Sequence, residues 1–356
     1  MQMDLFNQTP EQRPKLNIRK RAQPAKPATG IASAKNEAHA QAERPHRVAG
    51  DAATPSKRVG QRRINPPSRP HEAAFDLAEA VASAWYKAGG DNRFEVPLGA
   101  IAGVALWPLK GHDIAPIVAD WWRTLTETET NTALEECFAR WWIARPDLIE
   151  AARPIHEWLT YEATATKYAT PVRAAITAAL DAGLLDLLGD HDPYYRSTTD
   201  VVGSLMTCFR STGHRYALAE FHTPPEVAEL MARILLGGER HPGESFDDPC
   251  AGSGGMHRAT AQILREQGHD PADYQWSMTD VDPIATACAA VNAILWELGP
   301  HVLVWCGDTL AEGDGPQRAA RRRARVIEHR DQQISVAKLL KATRELTAGA
   351  LASVAA

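Results

Sequence analysis

The sequence predicts an α/β chain in four parts. A disordered basic arm covers residues 1–70, a helical domain 71–196, a partial doubly wound domain 197–312, and a basic C-terminal helix 313–356. Three observations predict it. The first 70 residues are rich in Ala, Pro, Gln, Lys and Arg and offer almost no aromatic or β-branched cluster to bury. From residue 71 onward, apolar residues recur at helical spacing through one segment after another. After residue 220, short apolar runs alternate with helical ones, the pattern of strands joined by helices.

The arm holds 14 Lys/Arg against 5 Asp/Glu, and the remainder 25 against 39, so the net charge of −5 conceals a basic leader on an acidic body. That asymmetry points to contact with a polyanion, or to nothing more than a solvated leader. The start, "MQMDLFNQTP", lacks an apolar stretch after basic residues, so no signal peptide is expected. No run approaches the roughly 18 apolar residues of a membrane helix. With 356 residues and 44% hydrophobic content, the chain can bury a sizeable core. Cysteines 137, 208, 250, 288 and 306 are scattered, with no CxxC pair. They predict neither a zinc site nor a disulfide framework, but reduced thiols in a cytoplasm.

In the helical half, "HEAAFDLAEAVASAWYKAG" reads as a helix closed by Gly89 and Gly90. Further helices are predicted over 98–107, 113–126, 131–144, 146–160, 170–188 and 197–212. "VADWWRTL" and "FARWWIARPDL" each carry a tryptophan pair. Core packing is the default reading of such pairs, and a docking surface the alternative. No ligand spacing such as HExxH occurs here.

The second half reads strand "ESFDDP", helix "GMHRATAQILREQG", strand "YQWSMTD", helix "DPIATACAAVNAILWELG", strand "HVLVWCGD". That is the βαβαβ half of a doubly wound, Rossmann-like sheet. Between the first strand and its helix stands "DDPCAGSGGM". Glycine at that density lets the backbone come close to something. A P-loop needs GxxxxGK[ST], and no lysine follows. A dinucleotide loop needs GxGxxG, and Gly252 with Gly254 supplies only its first half.

The acids decide the reading. Asp280 ends the second strand about 30 residues after Asp248, where a ribose-binding acid belongs. Asp308 ends the third and could accept from an adenine amino group. Asp248 beside the loop would repel a pyrophosphate but suits a ligand carrying an amine and a sulfonium, which favours S-adenosylmethionine. Upstream, "FHTPPEVAELMARILL" predicts a helix with Thr223 and Glu226 as a capping box and Pro224 at its first position. A helix start also attracts a carboxylate.

"FHTPPEVAELM", "DDPCAGSGGM", "TDVDPIATACAAVNAIL" and "GDTL", in this order, resemble the modification subunit of type I restriction systems. Those are S-adenosylmethionine-dependent, adenine-specific DNA methyltransferases, and the resemblance covers about residues 197–310. It implies that Thr223 and Pro224 flank the methionine moiety. Asp248, Pro249, Cys250, Gly252, Ser253 and Gly254 would form the cofactor loop, with Asp280 at the ribose and Asp308 near the adenine ring. DNA is the implied partner.

One part of the family's pattern is missing. After the third strand the family carries a fourth, followed by an [ND]PP[FY] turn that holds the extruded base. Here "GDTLAEGDGPQRAARRRARVIEH" runs on with arginines at 318, 321, 322, 323 and 325 and no such tetrapeptide. "NPPS" at 65–68 lacks a strand before it and an aromatic after its prolines. No residue is therefore assigned to catalysis. In the usual strand order the first strand would be left as an open edge. The amino-terminal helices would cover it, a second polypeptide would complete the sheet, or the sheet is truncated. A non-catalytic accessory role is the alternative to methyl transfer.

Overall fold

In the computed structural model the described residues are 67–107, 115–210 and 223–355. The arm up to residue 66, with Asn65 and Pro66 of "NPPS", lies outside them. So do the start of the helix predicted over 113–126 and the end of that over 197–212.

The helical half begins with α1 (Pro70–Lys87) and α2 (Glu95–Leu106), followed by α3 (Ala115–Thr124) and α4 (Glu127–Ala144). Then come α5 (Pro146–Ala151), α6 (Arg153–His156), α7 (Glu162–Lys167), α8 (Ala169–Asp181), α9 (Leu184–Leu188), α10 (Pro193–Arg196) and α11 (Val201–Phe209). Two predicted helices are broken. The one over 146–160 divides at Ala152, just before Arg153 and Pro154 begin a new helix, because proline lacks the N–H a continuous helix would use. The one over 170–188 divides at Gly183, whose φ of +85° closes α8.

Helix α2 is buried on all sides from Val96 to Leu106, so it is the axis of this layer. A Cβ at Gly99 would stand 1.6 Å from the Ile155 carbonyl oxygen, so only glycine permits that crossing. The tryptophan pairs serve the core. Trp122 is buried, Trp121 stacks on Trp107 at 4.8 Å, and the Trp141 indole N–H donates to the Leu106 carbonyl at 3.0 Å.

The second half contributes α12 (Pro225–Leu235), β1 (Ser245–Asp248), α13 (Gly255–Glu266), β2 (Gln275–Asp280), α14 (Pro283–Leu295) and β3 (Val302–Cys306). Short α15 (Thr309–Glu312) and long α16 (Gly315–Ala355) complete it. The strands form one parallel sheet in the order β1-β2-β3, with Ser245 opposite Gln275 and Trp276 opposite Val302. Among the described residues the sheet has no fourth strand, and β1 is an edge. Helix α14 is buried throughout from Ala285 to Leu295 and packs on β2, β3, α2, α5, α6 and α11. Its alanines let these neighbours approach, and the apolar core runs unbroken from Ala74 to Val304.

Helix α16, 41 residues and about 60 Å long, lies against β3 and α5, and its residues 335–347 are exposed. Arg322 donates to the Glu150 carbonyl at 2.8 Å, Arg323 to Asp147 at 3.3 Å and to the Pro300 carbonyl at 2.9 Å. Arg330 donates to the Ile143 carbonyl at 2.7 Å. Among the described residues, no helix is long and apolar enough to cross a membrane.

Candidate functional site

The glycine loop follows β1, so it sits at the carboxyl end of the sheet, where α/β sheets open a crevice for ligands. Its course is set by hydrogen bonds to all three strand ends. The Cys250 N–H donates to Asp248 Oδ1 at 3.0 Å, and the Ala251 N–H to the Thr279 carbonyl at 2.9 Å. The Gly252 N–H donates to Asp280 Oδ2 at 2.8 Å. From the start of α15, just after the third strand, Thr309 Oγ1 donates to the Pro249 carbonyl at 2.8 Å. The structure thus gathers the loop residues, Asp280 and the turn holding Asp308 around one point.

The two distal acids already have backbone partners. Besides Gly252, Asp280 accepts the Asp282 N–H at 2.9 Å through Oδ1. Asp308 caps α15, accepting from Leu310 at 2.9 Å and Ala311 at 3.3 Å. Asp280 keeps a lone pair on each oxygen, whereas Asp308 takes both bonds on Oδ1 and keeps Oδ2 open.

The glycines divide the work. Gly252 has φ +54°, and a Cβ built on it would meet no atom within 4 Å. Its freedom is spent on backbone shape in front of open space. Gly254, φ +92°, would place a Cβ 3.2 Å from Trp296 and 3.5 Å from Met278 Sδ, so it serves close packing under the loop.

A cleft of about 1120 Å³ opens beside the loop. Thr223, Pro224, Asp248, Cys250, Gly252 and Ser253 line it; Pro249, Gly254, Asp280 and Asp308 do not. The capping box expected of Thr223 and Glu226 is absent. Pro224 is the N-cap, with ψ 139°, and α12 begins at Pro225 without a side-chain cap. The cause is local: a residue before proline is excluded from helical geometry, so Pro224 cannot be the first helical residue when Pro225 follows.

Acids dominate the cleft wall, including Glu72, Asp76, Asp200, Glu244, Asp247 and Asp248. Its arginines are engaged. Arg240 pairs with Glu244 at 3.2 Å, and buried Arg258 pairs with Glu229 at 2.9 Å and donates to the Ser197 carbonyl at 3.0 Å. Burial alone would raise the Glu229 pKa, but Arg258 and His71 outweigh it and hold the carboxyl below its usual range. Buried His257 stands beside Trp276, and burial drives its ring pKa down against the attraction of Asp248.

Sequence reasoning missed the clamp that holds the loop. Asp200 Oδ2 accepts from Ser253 Oγ at 2.6 Å, and its Oδ1 accepts from Asn292 Nδ2 at 2.8 Å and the Gly203 N–H at 2.7 Å. Asn292 also donates to the Ser253 carbonyl at 2.9 Å. The available signal was a lone asparagine in the otherwise apolar "AAVNAIL". A Cβ at Gly203 would stand 2.2 Å from Asp200 Oδ2 and 2.4 Å from Ser253 Oγ. Gly203→Ala gains up to about 1 kcal/mol of helix propensity, whereas overpacking costs about 1–3 kcal/mol. The expected result is net destabilisation, read as a lower urea midpoint. An unchanged or raised midpoint would show that the clamp does not need this close approach.

Residues 200–327 match the family described as N-6 DNA methylase. Among solved structures, the chain is similar to the type I restriction-modification system methyltransferase subunit from Streptococcus thermophilus. The two are 16% identical with a TM-score of 0.37, and the match covers 68% of this chain and 58% of that one. The chain thus spans less than two thirds of that protein's length. Among curated proteins none matches.

Proposed function

We propose that this chain, whose residues 200–327 match the N-6 DNA methylase family, binds S-adenosylmethionine at the glycine loop and serves adenine-specific DNA modification in a cytoplasmic restriction-modification system. The observation that carries this reading is the loop's place: it runs at the carboxyl ends of three parallel strands, bonded to Asp248, Thr279 and Asp280, with the left-handed Gly252 facing open space.

The residues present fit the cofactor. Asp248 and the acidic wall suit an amine and a sulfonium and would disfavour a pyrophosphate. Asp280, already holding the loop through Gly252, keeps lone pairs for the ribose hydroxyls, and Asp308 for an adenine amine. Thr223 and Pro224 stand at the start of α12 on the same cleft, where a carboxylate is favoured. When bound, the cofactor supplies a methyl group on a positively charged sulfur. The chain's own part is to bind and orient it.

No [ND]PP[FY] tetrapeptide occurs in the 356-residue sequence. The alternative role is therefore that of an accessory subunit that holds the cofactor while a second polypeptide holds the base. Titration calorimetry with S-adenosylmethionine tests the common premise. One site per chain with a Kd in the micromolar range is expected, and no heat of binding at millimolar cofactor would overturn it.

The arginines at 318, 321, 322, 323 and 325 are candidates for DNA contact, and their partners in the fold differ. Arg322 and Arg323 fasten α16 to the body, and Arg318 pairs with Asp314 at 2.7 Å and Glu312 at 3.2 Å. Arg321 reaches Asp314 only at 3.6 Å, and Arg325 is exposed with no partner among the described residues. Each phosphate contact contributes about 0.9 to the slope of log K against log salt. The double change Arg321→Ala with Arg325→Ala should lower that slope by about 2 in fluorescence anisotropy on duplex DNA. An unchanged slope would remove α16 from the DNA interface.

A further inference from the structure

We propose that the open edge of β1 is a docking site for a strand of another polypeptide, one that alternates apolar side chains with lysine or arginine. This deepens the accessory reading above, on which it rests for the need of a second polypeptide.

Parallel strands are normally covered on both faces. Strand β2 obeys this, with Trp276 and Met278 each 1% exposed. Strand β1 does not: Ser245 and Asp247 are exposed, and Phe246 and Asp248 only half-buried. The backbone tells the same story. The Gln275 N–H donates to the Glu244 carbonyl at 2.9 Å, and bonding direction alternates along a parallel strand. Ser245 and Asp247 therefore turn their N–H and C=O groups away from β2. No strand among the described residues meets them. Such an edge is a template for strand addition.

Beyond the edge lies the cleft of about 1120 Å³. Its wall continues into an uncovered face of α12, where Val227, Leu230, Met231 and Ile234 are 44–73% exposed at helical spacing. Apolar side chains of the incoming polypeptide have a surface to cover there.

Charge selects the occupant. Asp247 and Asp248 lie along the edge with Asp76 across the cleft, while Glu244 and Glu72 on the same wall are paired with Arg240 and Arg69. A second copy of this chain, pairing β1 with β1, would set these acids against one another, and like charges opposite are destabilising. A strand with basic side chains meets them favourably.

The probe is a blocked decapeptide of alternating valine and lysine, titrated into the full chain by fluorescence anisotropy. The Ser245 N–H points away from β2, so Ser245→Pro removes an edge donor while leaving the β1–β2 bonds in place. We expect at least tenfold weaker peptide binding in Ser245→Pro and in the charge reversal Asp247→Lys. The same peptide with glutamate in place of lysine should also bind at least tenfold more weakly. Absence of binding to the parent chain, or equal binding by parent and both variants, would overturn the proposal. So would a dimer of the chain in sedimentation that Ser245→Pro dissolves, which would assign the edge to a second copy. Calorimetry with S-adenosylmethionine on the same samples separates the two readings. Peptide binding without cofactor binding sinks only the cofactor assignment, and the reverse sinks only the docking site.

Discussion

Replacing Gly252 with valine is expected to weaken S-adenosylmethionine binding at least 100-fold while the protein remains folded. Two effects combine. At φ +54° a non-glycine residue pays roughly 1–2 kcal/mol, and a β-branched one is a true outlier there. The strain pulls on the Gly252 N–H bond to Asp280, so the carboxylate assigned to the ribose shifts with the loop. The valine methyls would then project into space that no protein atom occupies within 4 Å of the Cβ. That space is where the cofactor is assigned, so the side chain displaces ligand rather than protein. Gly254→Ala is the contrasting case. Its Cβ would press on Trp296, so its expected signature is a lower melting temperature. Calorimetry and thermal melts on both variants distinguish the roles. Equal cofactor affinity in Gly252→Val and the parent would remove the loop from the site.

What the sequence revealed was local. The glycine loop, the strand–helix alternation and the acids at strand ends each lie within a few residues of a boundary that periodicity marks. The clamp was not legible because Asp200, Ser253 and Asn292 meet only in the fold. Nothing at position 200 says which loop its second oxygen will hold. The start of α12 was misread for a different reason. A capping-box pattern and a double proline compete there, and backbone sterics at Pro224 outweigh the hydrogen bond that Thr223 could have offered. The arginines of α16 show the limit of counting charge. Composition placed five in a row of eight residues, but only packing shows that Arg322 and Arg323 end on backbone carbonyls of the body. The edge of β1 lies between these cases: strand order predicted it, and its half-exposed side chains and uncovered α12 neighbour give it chemistry.

The purified 356-residue chain is expected to transfer no methyl group to adenine in duplex DNA. Reaching the amine requires extruding the base, and unstacking costs a few kcal/mol that pocket contacts must return. In enzymes that the sequence resembles, an [ND]PP[FY] turn supplies the hydrogen-bond acceptors and the stacking ring. No residue lining the cleft belongs to such a turn. Asn65 to Ser68 ends in a hydroxyl where an aromatic ring is needed, and "DPYY" at 192–195, which matches as many positions, lacks the second proline. A few kcal/mol left unrecovered is a factor of 100 or more in rate at about 1.4 kcal/mol per decade. The acidic edge of β1 would add its repulsion to the phosphates of any DNA brought up to it. Incubating the chain with duplex DNA and labelled S-adenosylmethionine measures this directly, and label in adenine should stay at background. Label above background from the chain alone would overturn the expectation. Asn65→Ala should then abolish the activity, because Asn65 stands in "NPPS" where the turn's acceptor would.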